Sequence, residues 1–549
     1  MNERKISYQK TLILAFFASF LFHTLLAYWF PITQDEAYYF YWSRFPDLGY
    51  FDHPPMIAWL ASLGPMLGLG DSVFSYRFGG LMTATVFFPL SISLFHKLGM
   101  TRGRSILTAV VLLHFNIAAL VFGFINTPDL PLTLFWLLAL HEGVAAMKGQ
   151  PYRWLTAGIA TGLGIQSKYS MILIGLVFLY GLWRSRGGLK SFWPYLGGVA
   201  CVLVLSPHLW WNAQHDWISF RFQLGRGFLS KYDVKTQLAA QLPEPEKATP
   251  GSPEYQLSHY FKLPDKVEKP RKPRAEWERM LSRVGSFIGG QIGLWGLMAF
   301  VLGWQFFRRR KASQPQETST PMPPIIMASI AVPLIVFGLI SPFQNIEANW
   351  PAVYLIGAAA WLGSQTWIRW PALTIAALLN ILLTSLLLWH SHSPLNSKRP
   401  AKDRILRETH GYQDLSQLIQ DLDGPVFADS YQTVSMLNFY QSEKQIAQWP
   451  GVSRISELVR RQEMVPYQWH DLLEHGAFYL LTEQFTPPIF TPFQAVKLWQ
   501  LLDCLDGTFA VQEAQLLGSE LPACKTYVHR WTLVRYSSEP SMVSPSPPL

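Results

Sequence analysis

The sequence predicts a polytopic α-helical membrane protein that ends in a small soluble α/β domain. The chain has 549 residues, of which 50% are hydrophobic and only 15% are charged, whereas about 25% of the residues of a soluble domain are charged. Long apolar segments recur as far as Trp389, after which the composition becomes that of a soluble domain. The net charge of +9 does not indicate a nucleic-acid partner, because the basic residues cluster in short runs between apolar segments.

About eleven membrane-spanning helices are expected, since a span needs about 20 predominantly apolar residues. Three segments (Trp154–Gln166, Tyr169–Trp183 and Trp350–Gly363) are short for this task, and the first two can form one long helix broken near Lys168. The sequence is therefore also compatible with ten, twelve or thirteen membrane-spanning helices. The predicted segments are Leu12–Trp29, Val73–Phe95, Ile106–Phe124, Pro131–Met147, Trp154–Gln166, Tyr169–Trp183, Phe192–Leu209, Val284–Phe307, Pro324–Ile340, Trp350–Gly363 and Pro371–Trp389.

Loop charges predict the orientation of these spans. With the N-terminus in the cytoplasm, nearly all Lys and Arg of the short loops fall on the cytoplasmic side, as the positive-inside rule requires. No small-residue cleavage motif follows the first apolar run, so we expect that run to remain as the first helix of an inner-membrane protein. The same topology gathers a set of polar residues on the outer side: Asp35, Glu36, Asp52, His53, Asp129, Lys168 and Glu347.

The chain divides into a transmembrane domain and an outer domain. Residues 1–390 form the transmembrane domain, with a first outer loop at 31–72 and a long outer loop at 210–283. The second loop begins with an aromatic stretch (Trp210–Gln223) that suits the membrane interface, and it contains a Pro-, Glu-, Lys- and Ser-rich insertion (Lys231–Arg274) that we interpret as disordered.

Residues 391–536 are predicted to form the α/β domain on the outer face, since an odd number of spans precedes it, and 537–549 a disordered tail. Strands are expected at Gly424–Ser430, Ala477–Thr482 and Tyr527–Tyr536, with a helix at Tyr431–Gln441. Cys504 and Cys524 both lie in this domain, where they are either a disulfide or two unpaired thiols.

Two acids directly follow the first span. Thr33 and Glu36 have the spacing of a capping box, in which the Glu36 side chain returns to the Thr33 amide. A capping role for Glu36 leaves Asp35 at the outer surface, where a carboxylate can take a proton from an acceptor hydroxyl. Asp35 is therefore the first candidate catalytic residue, and Glu36 lies beside it.

Two further acids lie next to prolines on the outer side. In Asp52-His53-Pro54-Pro55 the prolines stiffen the chain and hold an acid and an imidazole together, although Asp52 is equally explained as a helix N-cap. Asp129 follows Pro128 and is either a second catalytic acid or a helix-start carboxylate that suits the helix dipole.

Candidates for ligand binding come from later segments. Lys168 interrupts an apolar stretch and either snorkels to the interface or binds a phosphate, which Arg221 and Arg226 can join. Asn349 can hydrogen-bond a sugar and Trp350 can stack on it, although an interfacial aromatic explains Trp350 equally well. The sequence contains no P-loop, GxGxxG or zinc-spaced Cys/His set, which favours a lipid-phosphate substrate over a soluble nucleotide.

The motifs that carry these residues resemble those of the GT-C membrane glycosyltransferases. The similarity is greatest to the bacterial branch related to protein O-mannosyltransferases and the lipid A aminoarabinose transferase, and it extends over about Leu12 to Trp389. The matching motifs are Asp35-Glu36-Ala37-Tyr38-Tyr39, Gly49-Tyr50-Phe51-Asp52-His53-Pro54-Pro55, Thr127-Pro128-Asp129-Leu130-Pro131, Lys168-Tyr169, Trp211-Asn212 and Asn349-Trp350-Pro351.

This resemblance implies a GT-C fold and transfer of a sugar from a polyprenyl-phosphate carrier to a lipid, glycan or protein acceptor at the outer face. It makes Asp35 the general base or acceptor-positioning carboxylate, with Asp129 in support, and His53 and Lys168 the groups that stabilise the leaving phosphate. Tyr39 and Asn212 become substrate-binding candidates through their motifs. A divalent metal ion is the one cofactor that the resemblance suggests, because some relatives hold one near this corner, and Asp52 with an outer-loop His is the candidate ligand set.

Two other classes of protein remain open. A lipid-linked saccharide transporter or flippase predicts charged residues deep inside the spans, and these spans are largely free of them. A non-catalytic envelope assembly protein, in which the outer domain binds a partner, predicts that Asp35→Asn leaves function intact.

Overall fold

The computed structural model describes most of the chain and divides it into two compact units. The first unit is helical and is made from Met1–Phe30, Pro46–Phe228 and Lys272–Leu386, and the second is made from Pro31–Phe45, Leu229–Arg271 and Leu387–Leu549. The described residues are 2–185, 188–224, 261–262, 275–311, 322–394, 399–441, 444–449, 456–461, 464, 475–483, 489–490, 493–513, 524 and 526–538.

Each of the eleven apolar segments predicted from composition contains helix in the described part of the chain. A 3-10 turn at Tyr169–Ile172 precedes one helix, and the chain breaks at Lys168, as predicted. The helices of the first unit are Asn2–Trp29, Met56–Met66, Val73–Lys97, Gly103–His114, Ile117–Phe122, Asp129–Met147, Arg153–Ser167, Leu173–Arg184, Trp193–Gln214, Ile218–Leu224, Glu276–Trp295, Leu297–Lys311, Pro324–Ile340, Tyr354–Gly363 and Trp370–His392. The last of these continues past the boundary of the unit at Leu386.

Among the described residues, five helices are long and apolar enough to cross a membrane singly. They are Tyr8–Trp29, Val73–Lys97, Asp129–Met147, Trp193–Gln214 and Trp370–His392. A sixth span arises if the bent pair Glu276–Trp295 and Leu297–Arg308 is counted as one. The remaining apolar helices are 10–17 residues long, so the count of eleven spans stays a prediction.

Two segments predicted as single helices are broken. Ile106–Phe124 is divided at Phe115, after which the Asn116 side chain caps the next helix. Val284–Phe307 bends by 94° at Gly296, whose φ of +60° suits a residue without a Cβ. A Cβ at Gly296 would lie 2.4 Å from the side-chain oxygen of Asn380, so this close approach also requires glycine.

Asn380 supplies the hydrogen bonds that both breaks would otherwise lose. Its buried amide nitrogen donates to the carbonyls of Phe115 at 3.0 Å and Trp295 at 3.1 Å, and its oxygen accepts from the Leu297 amide at 2.9 Å. Within lipid, irregular backbone is tolerated where neighbouring helices satisfy its polar groups. One side chain therefore stabilises two interruptions.

Two other helices differ in their bounds from the predicted spans. The helix Trp193–Gln214 continues past Leu209, so Trp211 and Asn212 lie in its last turns. Trp350 lies in a turn before the helix Tyr354–Gly363.

The second unit contains a six-stranded sheet. Its strands are β2 (Val426–Ala428), β3 (Ala447–Gln448), β4 (Ala477–Thr482), β6 (Gln494–Cys504), β7 (Phe509–Glu513) and β8 (Tyr527–Ser537), while β1 (Phe261–Lys262) and β5 (Ile489–Phe490) form a separate pair. The order is β3-β2-β4-β8-β6-β7, with β2 parallel to β3 and β4 and all other pairs antiparallel. The helices of this unit are Gln34–Ser43, Arg404–Thr409, Tyr412–Gln420, Tyr431–Tyr440 and Glu457–Arg460.

The sheet is packed through a buried aromatic cluster. The ring of Phe478 stacks on Trp449 with centroids 5.1 Å apart and on Tyr536 with centroids 5.0 Å apart. Cys504 at the end of β6 forms a disulfide with Cys524, and their Cα atoms lie 6.0 Å apart. Of the two alternatives left open for these cysteines, the structure shows the disulfide.

A buried ion pair makes the stability of the second unit depend on pH. Asp503 accepts a hydrogen bond from Nδ1 of His410 at 2.8 Å, and it raises the pKa of His410 above its ordinary value of 6.5, against the opposing effect of burial. The charge of Asp414 adds in the same direction. A raised pKa in the folded state means that this stabilisation is fully present below pH 6.5 and is lost as pH rises through the folded pKa.

We expect His410→Gln to lower the free energy of unfolding by roughly 1.5–3 kcal/mol in mildly acid solution and by much less in alkaline solution. The measurement is the thermal unfolding midpoint of the purified protein, followed by tryptophan fluorescence at several pH values. His475→Gln, at an exposed histidine, is the matched control and should leave the unfolding midpoint near the wild-type value. An equal loss for His410→Gln at every pH would contradict the linkage.

Candidate active site

Asp35 lies in the first turn of the helix Gln34–Ser43, in the second unit. Thr33 and Glu36 form the predicted capping box: the Glu36 carboxylate accepts from the Thr33 amide at 3.2 Å, and the Thr33 hydroxyl accepts from the Glu36 amide at 3.4 Å. Glu36 is buried whereas Asp35 is exposed. The capping geometry of Glu36 is thus confirmed, and its catalytic role stays a prediction.

Three predicted site residues of the first unit meet in one cluster. The Asp129 carboxylate accepts from the Lys168 ammonium at 2.8 Å through one oxygen and from the Asn349 amide at 2.7 Å through the other. The side chains of Asp129 and Lys168 are only 11% and 14% exposed, so the two charges form a largely buried ion pair. Each group lies at a helix end or in a turn, where the chain leaves regular geometry.

Asn212 belongs to a second polar cluster in the same unit. Nδ1 of His208 donates to the Leu48 carbonyl at 2.8 Å, which makes Nε2 an acceptor for the Asn212 amide at 3.1 Å. The Tyr169 hydroxyl lies 2.7 Å from Nε2 and 2.8 Å from the Ser219 hydroxyl. His208, Asn212 and Ser219 have no exposed surface, so this network joins four segments inside the protein.

Asp52 and His53 lie in a bend of the first unit. The Tyr50 amide donates to the His53 carbonyl at 3.2 Å, and the Gln223 side chain donates to the Asp52 carbonyl. Asp52 is 2% exposed. Within the described ranges, no three His, Cys, Asp or Glu side chains lie close enough to hold a metal ion. The predicted metal role of Asp52 therefore has no ligand set there, and we derive no step through a metal.

The other predicted residues have varied surroundings. Tyr39 is buried, and its ring meets Trp42 edge-on at 5.1 Å. Trp350 is half-buried and meets Phe337 at 6.0 Å, while Arg221 is exposed on the helix Ile218–Leu224. Arg226 lies outside the described residues.

The polar contacts of Tyr169, His208 and Ser219 were not predicted from the sequence. The signal for His208 was available, because a histidine inside the predicted span Phe192–Leu209 is expensive in lipid without a partner. Arg77 was also missed: it is 1% exposed in the helix Val73–Lys97 and donates to the Phe30 carbonyl at 2.6 Å. Ser219 carried no signal, because only the fold brings it to Tyr169.

Comparison with known proteins supports the resemblance. The family described as dolichyl-phosphate-mannose-protein mannosyltransferase matches residues 52–211. The lipid A galacturonosyltransferase RgtD of Rhizobium johnstonii is 27% identical over 189 residues, which cover 33% of this chain and 38% of that protein. The undecaprenyl phosphate-alpha-4-amino-4-deoxy-L-arabinose arabinosyl transferase 1 of Pseudomonas fluorescens is 28% identical over 182 residues, 32% of each chain. The matched part thus spans about a third of either relative.

Solved structures match over the whole chain. ArnT of Cupriavidus metallidurans in the apo state aligns with a TM-score of 0.56 and 14% identity over 99% of both chains. The same protein bound to undecaprenyl phosphate aligns with a TM-score of 0.55 and 12% identity over 100% of both chains. At this identity the match shows the fold.

The family match and these relatives cover about a third of the chain, whereas the likeness in fold to ArnT of Cupriavidus metallidurans extends over nearly all of it.

The Asp129–Lys168 pair should couple strongly in stability. We expect Asp129→Asn to cost about 3–5 kcal/mol, because it leaves the Lys168 ammonium buried without a counter-charge. Lys168→Met should cost a similar amount, and the double variant should cost much less than the sum. The measurement is the thermal unfolding midpoint of each variant in detergent. Additive losses would show that the two charges do not depend on each other.

Proposed function

We propose that the chain is a glycosyltransferase that moves a sugar from a polyprenyl-phosphate carrier to a lipid, glycan or protein acceptor at the outer face of the inner membrane. The observation that carries the proposal is the cluster of Asp129, Lys168 and Asn349. It combines an ammonium, a carboxylate and an amide, which are groups that bind a phosphate and a sugar. The names of the relatives supply the donor class.

Lys168 is assigned to the donor phosphate. An ammonium has three N–H donors, and the contact with Asp129 uses one of them. As the bond between the sugar C1 and the phosphate oxygen breaks, negative charge develops on the lipid phosphate, and a fixed cation stabilises that charge. Asp129 holds Lys168 in place, and Asn349 presents an amide beside them for the sugar.

Asp35 is assigned to the acceptor. Its carboxylate takes the proton of the acceptor hydroxyl while the hydroxyl oxygen forms the new bond to C1. The capping box occupies Glu36 and leaves Asp35 exposed in the first helical turn, which suits a group that meets a substrate. His53, Tyr39, Asn212, Arg221 and Trp350 remain further substrate-binding candidates, and so does Arg226.

We expect Asp35→Asn to lower the rate of sugar transfer by about 10²–10⁴-fold, the range for loss of a general base. The measurement is the rate at which free polyprenyl phosphate is released, which is determined by mass spectrometry. The assay contains detergent-purified protein, membrane extract and a panel of polyprenyl-phosphate sugars that begins with undecaprenyl phosphate-4-amino-4-deoxy-L-arabinose.

Asp421→Asn is the matched control, because Asp421 is an exposed acid at the end of another helix of the second unit, and it should keep the wild-type rate. Folded wild-type protein that releases no carrier from any donor would overturn the proposal in favour of transport or assembly. Full activity in Asp35→Asn would remove the base role from Asp35.

The same proposal places the N-terminus in the cytoplasm and the second unit outside. The Cys504–Cys524 disulfide supports this orientation, because disulfides persist in oxidising compartments. We therefore expect a C-terminal alkaline phosphatase fusion to the full chain to be active in cells and a C-terminal fluorescent-protein fusion to be dark. The reverse result would place the second unit in the cytoplasm and would contradict the proposed site of transfer.

A further inference from the structure

The helix Gln34–Ser43 is integrated into the second unit although it follows the first span in sequence. All seven residues from Glu36 to Trp42 are buried. Tyr38 meets Tyr431 with ring centroids 4.7 Å apart, and Phe40 meets Phe439 edge-on at 5.0 Å. The helix is therefore packed against Tyr431–Tyr440 by aromatic pairs, which add to the stabilisation from burial.

Hydrogen bonds hold the first turn of this helix from one side. The Gln34 amide donates to the Tyr412 hydroxyl at 2.6 Å and to the Arg407 carbonyl at 3.0 Å. These partners are 378 and 373 residues away in sequence. Gln34 immediately precedes Asp35, so these two bonds fix the part of the helix from which the Asp35 carboxylate projects.

Further contacts fix the axis of the helix. The Tyr38 hydroxyl accepts from the Glu457 amide at 2.8 Å. Beyond the last turn, Arg461 donates to the Phe45 carbonyl at 3.1 Å and lies over the Phe45 ring at 5.8 Å. With Gln34 held at the start, the helix is tied at its beginning, middle and end.

We propose that the second unit positions the catalytic carboxylate, with Gln34 and Tyr412 as positioning residues for Asp35. This rests on the proposed function, in which Asp35 takes the acceptor proton. A carboxylate that serves as base must be held within hydrogen-bond reach of that proton, and a displacement of about 1 Å can cost about 10²-fold in rate. The Gln34–Tyr412 hydrogen bond keeps the first turn of the helix from rotating, and it thereby keeps the Asp35 carboxylate from being displaced.

The test compares Gln34→Ala, Tyr412→Phe and the double variant in the whole chain. The donor is undecaprenyl phosphate-4-amino-4-deoxy-L-arabinose, or whichever polyprenyl-phosphate sugar the wild type turns over. We expect each single variant to lower kcat by about 10–100-fold and to leave KM for the donor within about twofold, since neither residue is assigned to the donor. Both substitutions break the same hydrogen bond, so the double variant should be no slower than about the slower single variant.

Tyr479→Phe is the matched control. Tyr479 is a buried tyrosine of the same unit, in the strand Ala477–Thr482, and its hydroxyl donates to Asp423 at 2.7 Å. Its substitution also removes one tyrosine hydrogen bond. We expect a shift in the thermal unfolding midpoint similar to that of Tyr412→Phe, with kcat within about twofold of wild type.

Three outcomes would overturn the inference. If Gln34→Ala and Tyr412→Phe keep the wild-type kcat while Asp35→Asn is inactive, the base role stands and the positioning role fails. If Tyr412→Phe and Tyr479→Phe lower kcat equally, the loss of kcat reflects a lower stability of the second unit and not the position of Asp35. If Asp35→Asn keeps full activity, the proposed role of Asp35 fails and the positioning inference fails with it.

Discussion

The structure of the helical unit depends on one constraint: a polar group buried within a membrane protein needs a partner inside that protein, because lipid supplies none. Asn380 meets this constraint for the backbone at both the Phe115 and the Gly296 breaks. Asp129 and Lys168 meet it for charge, since each supplies the counter-ion of the other. Both sets of contacts join segments that lie far apart in the sequence.

The paired groups lie where helices end. Asp129 begins the helix Asp129–Met147, Lys168 follows the end of Arg153–Ser167 in an extended conformation, and Asn349 lies in a turn. Side chains at such positions can point toward a common space, whereas those in mid-helix point outward along a cylinder. A short interruption of a helix thus brings polar side chains together while neighbouring helices can satisfy the backbone.

The second unit combines a mixed sheet with a helix from the beginning of the chain. The strands after residue 424 form the sheet, and Gln34–Ser43 packs on Tyr431–Tyr440 within the same unit. The C-terminal region therefore belongs to the same compact unit as the segment that follows the first predicted span. It shares its hydrophobic packing and hydrogen bonds with the segment that carries Asp35, so sequence changes in one can alter the geometry of the other.

Sequence alone determined the features that depend on neighbouring residues. Composition located the helical segments, the Thr33–Glu36 spacing specified the capping box, and a lysine within an apolar run marked the break at Lys168. Apolar length could not locate the 94° bend at Gly296, which depends on the hydrogen bonds supplied by Asn380. Tertiary structure decided the partners of Lys168 and Asn349, which meet Asp129 across 39 and 220 residues, and the attachment of Gln34 to Tyr412 across 378. Local patterns specify local backbone geometry, but contacts over such separations follow from how the whole chain packs.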